Sequence, residues 1–298
     1  MQADGKTLPV ALAFISALLW GVWWIPIRFL DGLGMTGAWG SVTMNFGAFI
    51  AATLWLILRK VPFQISPRGV MGAVLVGVAV TLYSVAFTMT DVVRVVLLFY
   101  LAPAWGKLIE WAFMGQSWRW PTTAAVCLAL IGAYLVLGGE ISLDGLGMGD
   151  LLAVISGMAW AGGAALIFTS ARMNVMSLSL VTALAATVLG LVFIVLTGGM
   201  TSAASGGWGD RGIGAMAGLI YVLPILLLTL WSAQRLSPAV ISFLLTAEIL
   251  SGVGTGALFL DEPFGIMQAV GTVFILTAAA VEVIPTLLRK VPLAQPRE

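Results

Sequence analysis

Residues 150–171, DLLAVISGMAWAGGAALIFTSA, decide the fold. Asp150 opens the stretch, Arg172 follows it, and no charge stands between them. An apolar run of about 20 residues is what a helix needs to cross a ~30 Å hydrocarbon core. Working outward, similar runs cover residues 8–30, 38–58, 69–88, 92–114, 121–139, 177–197, 212–232, 238–260 and 265–288. The short connections between them carry Gly, Pro, Asp or Ser and leave no room for a soluble domain. The expected fold is an all-α membrane protein with ten transmembrane helices. Span 1 reads as a retained helix, because no small-residue cleavage site and mature domain follow it.

Composition agrees with that reading. Of 298 residues, 60% are hydrophobic and only 9% are charged, against about 25% charged in a soluble protein. Mean hydropathy is +1.07. The net charge of +1 has no basic excess, so no nucleic-acid partner is expected. Cys127 is the one cysteine, and histidine is absent. These counts remove a disulfide framework, imidazole metal sites and histidine bases, so neither a metal nor a cofactor is expected.

Motifs that suggest enzyme chemistry fail on their context. Gly32-Leu33-Gly34-Met35-Thr36-Gly37 fits GxGxxG but joins two spans, where the dinucleotide motif joins a strand to a helix. No Walker A sequence is present. Gly147-Met148-Gly149-Asp150 and Gly207-Trp208-Gly209-Asp210 fit GxGD, yet both lie at span ends. Asp150 and Asp91 read as anions at helix N-termini.

Ten spans put both termini on one side. Placing them in the cytoplasm puts Lys6, Arg59, Lys60, Arg68, Arg119, Arg172, Arg235, Arg289, Lys290 and Arg297 inside, against Arg28, Arg94 and Arg211 outside. Lysine and arginine favour the cytoplasmic loops of membrane proteins. Trp39, Trp55, Trp118, Trp120, Trp208 and Trp231 fall near span ends, as an interfacial belt does.

The chain divides into 1–139 and 140–298, five spans each. Five is odd, so the second half enters the membrane from the opposite side, giving two inverted five-helix repeats. Echoes at a near-constant offset support the division: Trp20 with Trp160, Ala125-Val126 with Ala269-Val270, and Leu101-Ala102-Pro103 near Thr246-Ala247-Glu248. Inverted repeats commonly build alternating access around a midplane site.

Polar residues inside spans mark that site. Glu248 lies about ten residues into span 9, roughly 15 Å deep, where an ionisable group is a functional candidate. It could accept a substrate ammonium, carry a coupling proton, or join two helices as a neutral hydrogen-bonded acid. Trp20, Trp24, Asn45, Tyr83, Tyr100, Trp160 and Tyr221 are further cavity-lining candidates, with helix packing as the alternative for each. Pro26, Pro103 and Pro224 interrupt spans 1, 4 and 8, and Pro103 is expected to shape the cavity through a kink. Lys107 and Glu110 share a face of span 4 near its cytoplasmic end, where long side chains snorkel to water. They form either a plain pair or an inner gate. Arg28 and Arg94, near Asp31 and Asp91, are candidate outer charge pairs. Gly252-Val253-Gly254-Thr255-Gly256 and the run from Gly214 to Gly218 read as helix-packing motifs.

The five-plus-five spans, with Trp20-Gly21 and Arg28 in span 1, resemble the EamA-type branch of the drug/metabolite transporter superfamily. Pro103 with Gln116 is similar to that family's proline-to-polar-turn pattern. Asp261-Glu262 fit the turn of the second half, where Glu248 stands near the proline position. From Tyr83 to Trp111 the chain resembles the YddG amino-acid exporters. The resemblance implies a secondary-active exporter of neutral, bulky or aromatic amino acids in a bacterial cytoplasmic (inner) membrane, not an enzyme. Its partners would be a small-molecule substrate and the lipid bilayer. A transporter of another metabolite or drug, a channel-like facilitator and a non-transport scaffold are the alternatives. Oligomeric state is left open by the sequence, and a monomer is compatible with it.

Overall fold

The structure is a computed structural model that describes residues 4–64, 66–90, 92–136, 147–197, 207–259 and 265–288. Its helices are α1 (Asp4–Gly21), α2 (Trp24–Gly32), α3 (Trp39–Leu58), α4 (Pro67–Met89), α5 (Val92–Phe99), α6 (Ala102–Phe113), α7 (Trp120–Val136), α8 (Met148–Thr169), α9 (Val175–Leu196), α10 (Trp208–Ala217), α11 (Leu223–Ala233), α12 (Pro238–Leu245), α13 (Glu248–Phe259) and α14 (Ile266–Leu288). A π-helical turn, Gly218–Val222, joins α10 to α11. Among the described residues, seven helical stretches are long and apolar enough to cross a membrane: Thr7–Gly32, Trp39–Leu58, Pro67–Met89, Met148–Thr169, Val175–Leu196, Trp208–Ala233 and Pro238–Gly256. Predicted spans 4, 5 and 10 fall on α5 with α6, on α7 and on α14. Residues 137–146, 198–206, 260–264 and 289–298 lie outside the described residues, as do Asp91 and the side chain of Arg94.

Helix starts follow local chemistry. The Ser66 hydroxyl accepts from the Gly69 amide at 3.0 Å, with Pro67 in the first turn. Asn174 accepts from the Met176 amide at 2.8 Å. The two GxGD segments are alike: Asp150 accepts from the Gly147 amide at 2.7 Å, and Asp210 from the Gly207 amide at 2.8 Å. Asp150 is thus an N-terminal anion, as expected. The second segment starts a helix at Trp208, four residues before the predicted span 8. In the GxGxxG segment, Gly34 (φ 90°) and Gly37 (φ 63°) occupy left-handed conformations, so these glycines serve a turn.

Each interrupting proline acts upstream of itself, because its ring removes the hydrogen bond to the carbonyl four residues earlier. Pro26 follows the break between α1 and α2, where Ile25 N–H takes the Val22 carbonyl at 3.1 Å. Pro103 follows the break at Tyr100-Leu101, and Pro224 follows the π-helical turn. A fourth break, at Thr246-Ala247 in span 9, has no proline. There the amides of Thr246, Ala247, Ile249 and Leu250 bond three residues back, at 3.0–3.2 Å. The Thr246 hydroxyl donates to the Phe243 carbonyl at 2.5 Å.

The packing has a twofold pattern. α4 lies on α8, and α11 on α1. α4 lies on α9, and α10 on α3. α5 and α6 lie on α8, and α12 and α13 on α1. α7 pairs with α14, α3 with α9, and α6 with α12. Exchanging spans 1–5 with 6–10 maps each of these pairings onto another of them or onto itself. The outer surface is apolar, with Phe113, Leu196, Ile220 and Ile266 among its exposed side chains, and Cys127 is exposed as well.

Glycine sets the closest approach. A Cβ on Gly218 would stand 2.0 Å from the Met44 carbonyl oxygen, and one on Gly47 2.1 Å from that of Ala215. The run from Gly214 to Gly218 is therefore a packing surface, as expected. In the other run, Gly252 meets Gly21, but Gly254 faces open space. Gly218→Ala is expected to cost about 1–3 kcal/mol through overpacking and Gly254→Ala almost nothing. Thermal unfolding in detergent checks this, and equal effects would contradict the close approach of α3 to the π-helical turn.

Candidate functional site

The breaks in spans 1, 4 and 9 border a small cavity whose walls are buried side chains: Trp20, Val76, Ala79, Val80, Tyr83, Phe99, Trp160, Leu245 and Glu248. Trp20 stands at the end of α1, Phe99 and Leu245 close the first halves of spans 4 and 9, and Glu248 opens α13. α4 contributes one stripe at helical spacing, residues 76, 79, 80 and 83. Free space for the centres of water-sized spheres is about 30 Å³, room for roughly two waters. At this volume a bulky ligand does not fit, and its binding requires the cavity to widen.

Glu248 is 2% exposed. Its carboxylate accepts from the Tyr83 hydroxyl at 3.3 Å. The Tyr83 ring packs on Phe99 at 4.8 Å and on Phe87 at 4.6 Å between centroids. The indole N–H groups of the cavity are already engaged: Trp20 donates to Thr229 at 3.0 Å and Trp160 to Ser242 at 3.1 Å. Among the described residues no lysine or arginine pairs with Glu248. The cavity therefore presents one carboxyl group to aromatic and aliphatic walls. That arrangement suits an organic ligand carrying an amine, through charge and cation–π attraction.

Four of the sequence candidates, Trp20, Tyr83, Trp160 and Glu248, meet in this cavity. Tyr100 lies just behind it, its hydroxyl aimed at the Thr246 carbonyl 3.5 Å away. Pro103 sits in the first turn of α6 and shapes the break without lining the cavity. Three candidates belong elsewhere. Asn45 is fully buried on α3, where its amide donates to the Ser41 carbonyl at 2.9 Å and the Ser41 hydroxyl at 3.2 Å. Trp24 donates to Thr255 of α13 at 3.3 Å. The Tyr221 hydroxyl donates to the Leu19 carbonyl. Arg28 is exposed, with its guanidinium 5.7 Å from the Trp24 ring centroid.

Trp23, absent from the candidates, is wholly buried and donates to Ser84 at 3.1 Å. Its ring lies 4.8 Å from that of Trp20. The signal for it was its spacing of three from Trp20. Phe99 was marked by its place beside Tyr100 at a proline break, and Val76, Ala79 and Val80 by stepping back along α4 from Tyr83.

Lys107 and Glu110 do not snorkel. They are 5% and 4% exposed and pair at 3.6 Å. Glu110 also accepts from the Ala239 amide at 2.9 Å, satisfying a free donor in the first turn of α12. Beside them, a Cβ on Gly106 would stand 3.3 Å from Pro238 and Ala239. The pair thus bolts span 4 to span 9 on the side of the N-terminus, below the cavity. On the same side, the Gln234 side chain accepts from the Met173 amide at 3.0 Å.

The sequence model of the EamA-like transporter family matches residues 7–138 and again 147–283. No curated protein matches the chain. A crystal structure of another protein, 17% identical, superposes with a TM-score of 0.71 over 94% of this chain and 97% of the other. At that identity the likeness is one of fold alone.

Glu110→Leu leaves the Lys107 ammonium buried and unpaired, an expected loss of roughly 3–5 kcal/mol. Adding Lys107→Met should restore most of it. Apparent melting temperatures in detergent check this, and a single variant as stable as the double would contradict the buried pair.

Proposed function

The chain belongs to the EamA-like transporter family, and on that premise we propose that it is a secondary-active exporter working by alternating access around the Glu248 cavity. A multi-pass membrane protein of a transporter family moves small molecules across a bilayer. The finer reading is export of neutral, bulky or aromatic amino acids, whose ammonium would meet Glu248 and whose side chain would lie against Trp20, Tyr83 and Trp160. One observation carries it: the 2%-exposed Glu248 carboxyl at the mid-span breaks, in a small, aromatic-walled cavity. A purely structural acid would not need the facing helices to be broken beside it.

In this reading the chain crosses a bacterial cytoplasmic membrane ten times, as inverted repeats of residues 1–139 and 140–298, with both termini inside. Support comes from the twofold pattern of helix pairs and the two segments matched by the family model. The two halves rock about the cavity. Breaks in spans 4 and 9 let their outer and inner parts move separately. On the inner side the gate is the Lys107–Glu110 pair with the Ala239 amide, which must part for the cavity to open there. Glu248 can hold a substrate ammonium or a proton, so one group can serve both binding and coupling.

Two experiments test the reading. In proteoliposomes supplied with each of the twenty amino acids, with and without a pH gradient, Glu248→Gln should lower transport while membrane expression stays unchanged. Unaltered kinetics and pH dependence in that variant would remove Glu248 from the site. With Cys127 replaced, single cysteines at the two ends of spans 4 and 9 should change accessibility reciprocally when substrate is added. Parallel changes on both sides would rule out rocking, and absence of trans-stimulated counterflow would indicate a channel.

A further inference from the structure

A groove opens on the flank of the bundle, on the side of the N-terminus. It lies between α3 and α9, with Phe49, Thr53, Leu56, Lys60, Phe63 and Leu180 among its walls, and has a volume of about 500 Å³. The groove arises from how two helices meet. At one end they touch where Gly190 meets Val42, since a Cβ there would stand 2.5 Å from the Val42 side chain. Ten residues earlier on α9, Leu180 lines open space instead.

The chain reversal after α3 places a charge at the rim. The Lys60 amide bonds to the Ile57 carbonyl and the Val61 amide to that of Leu56, both at 3.1 Å. This closing turn requires a left-handed residue, and Lys60 takes that role with φ 51°. Lys60 is exposed, and among the described residues no carboxylate pairs with it. Arg59, Arg68 and Arg172 stand on the same side of the bundle, the side that the lysine and arginine bias assigns to the cytoplasm.

We propose that this groove is a binding site for an acidic phospholipid of the cytoplasmic leaflet. One acyl chain lies between α3 and α9, and the anionic headgroup sits on Lys60. The walls select the tail, because they are apolar and open sideways into lipid. The rim selects the head: its one formal charge is positive and stands where the apolar span ends, at headgroup depth. A zwitterionic lipid would bring its own cation to that ammonium. Neither wall nor rim belongs to the transport cavity, so the site is independent of the transport reading.

Native mass spectrometry of the full chain, released from vesicles of equal phosphatidylglycerol and phosphatidylcholine, tests this. The wild type should retain phosphatidylglycerol preferentially. Lys60→Gln, which disturbs no buried group, should weaken that retention roughly fivefold. Arg68→Gln, on the same side but outside the groove, should leave it unchanged. Equal retention of the two lipids, or equal effects of the two substitutions, would overturn the proposal. So would a dimer in the same spectra that dissociates on Lys60→Gln, since the groove would then belong to a second copy.

Discussion

A helix broken inside hydrocarbon exposes carbonyl oxygens that no water reaches, and the centre of this protein is built around satisfying them. Each unsatisfied backbone group in such a medium costs several kcal/mol. The break in span 1 frees carbonyls at the end of α1. The Ser251 hydroxyl takes that of Leu18 at 2.7 Å, and the Tyr221 hydroxyl takes that of Leu19. In span 4, Pro103 leaves the Phe99 carbonyl without its amide partner. Gly157 comes so close that a Cβ there would stand 2.9 Å from this oxygen. In span 9, the Phe243 carbonyl is taken by Thr246. Ser251 and Tyr221 both belong to the half of the chain opposite the carbonyls they satisfy.

This requirement explains why the site sits where it does. Breaks are tolerated where nearby side chains supply donors or glycines permit close approach. Those conditions are met at the centre, where α1, α4 and α8 face spans 4 and 9. A Cβ on Gly21 would collide with the Glu248 carbonyl at 2.2 Å, so the start of α13 lies directly on span 1. The same approach holds the Glu248 side chain against Tyr83. Breaks position a carboxyl group in the cavity and, in the proposed mechanism, also give spans 4 and 9 a place to bend, so that binding and movement would draw on one structural device.

The buried pair of Lys107 and Glu110 shows a second use of a helix end. Two charges removed from water are tolerated because Glu110 is shared between an ammonium and a free amide of α12. The sequence places the two residues on one face but says nothing about α12, more than a hundred residues away. Their spacing therefore suggested a local pair reaching for water, whereas the fold makes it an inter-helical bolt. Asn45 shows the converse. Its depth made it a cavity candidate, but its amide turned back onto Ser41 of its own helix.

Much of the architecture was legible because the membrane imposes a one-dimensional rule: about 20 apolar residues per crossing, charges at the ends. That rule located the helical stretches and made Glu248 conspicuous, while the glycine packing run and the Asp150 cap were legible from their own local motifs. Proline showed three of four irregularities, since its missing N–H acts within four residues of itself. The break at Thr246-Ala247 carries no proline: its amides bond three residues back, the Thr246 hydroxyl takes the Phe243 carbonyl, and Gly21 of the distant α1 packs against the Glu248 carbonyl. Sequence could nominate Trp20, Tyr83, Trp160 and Glu248 but could not separate them from Trp24, Asn45 and Tyr221. Burial depth follows from position along a span. The direction a side chain faces, and the partner it meets there, depend on the rotation and packing of helices that only the folded chain defines.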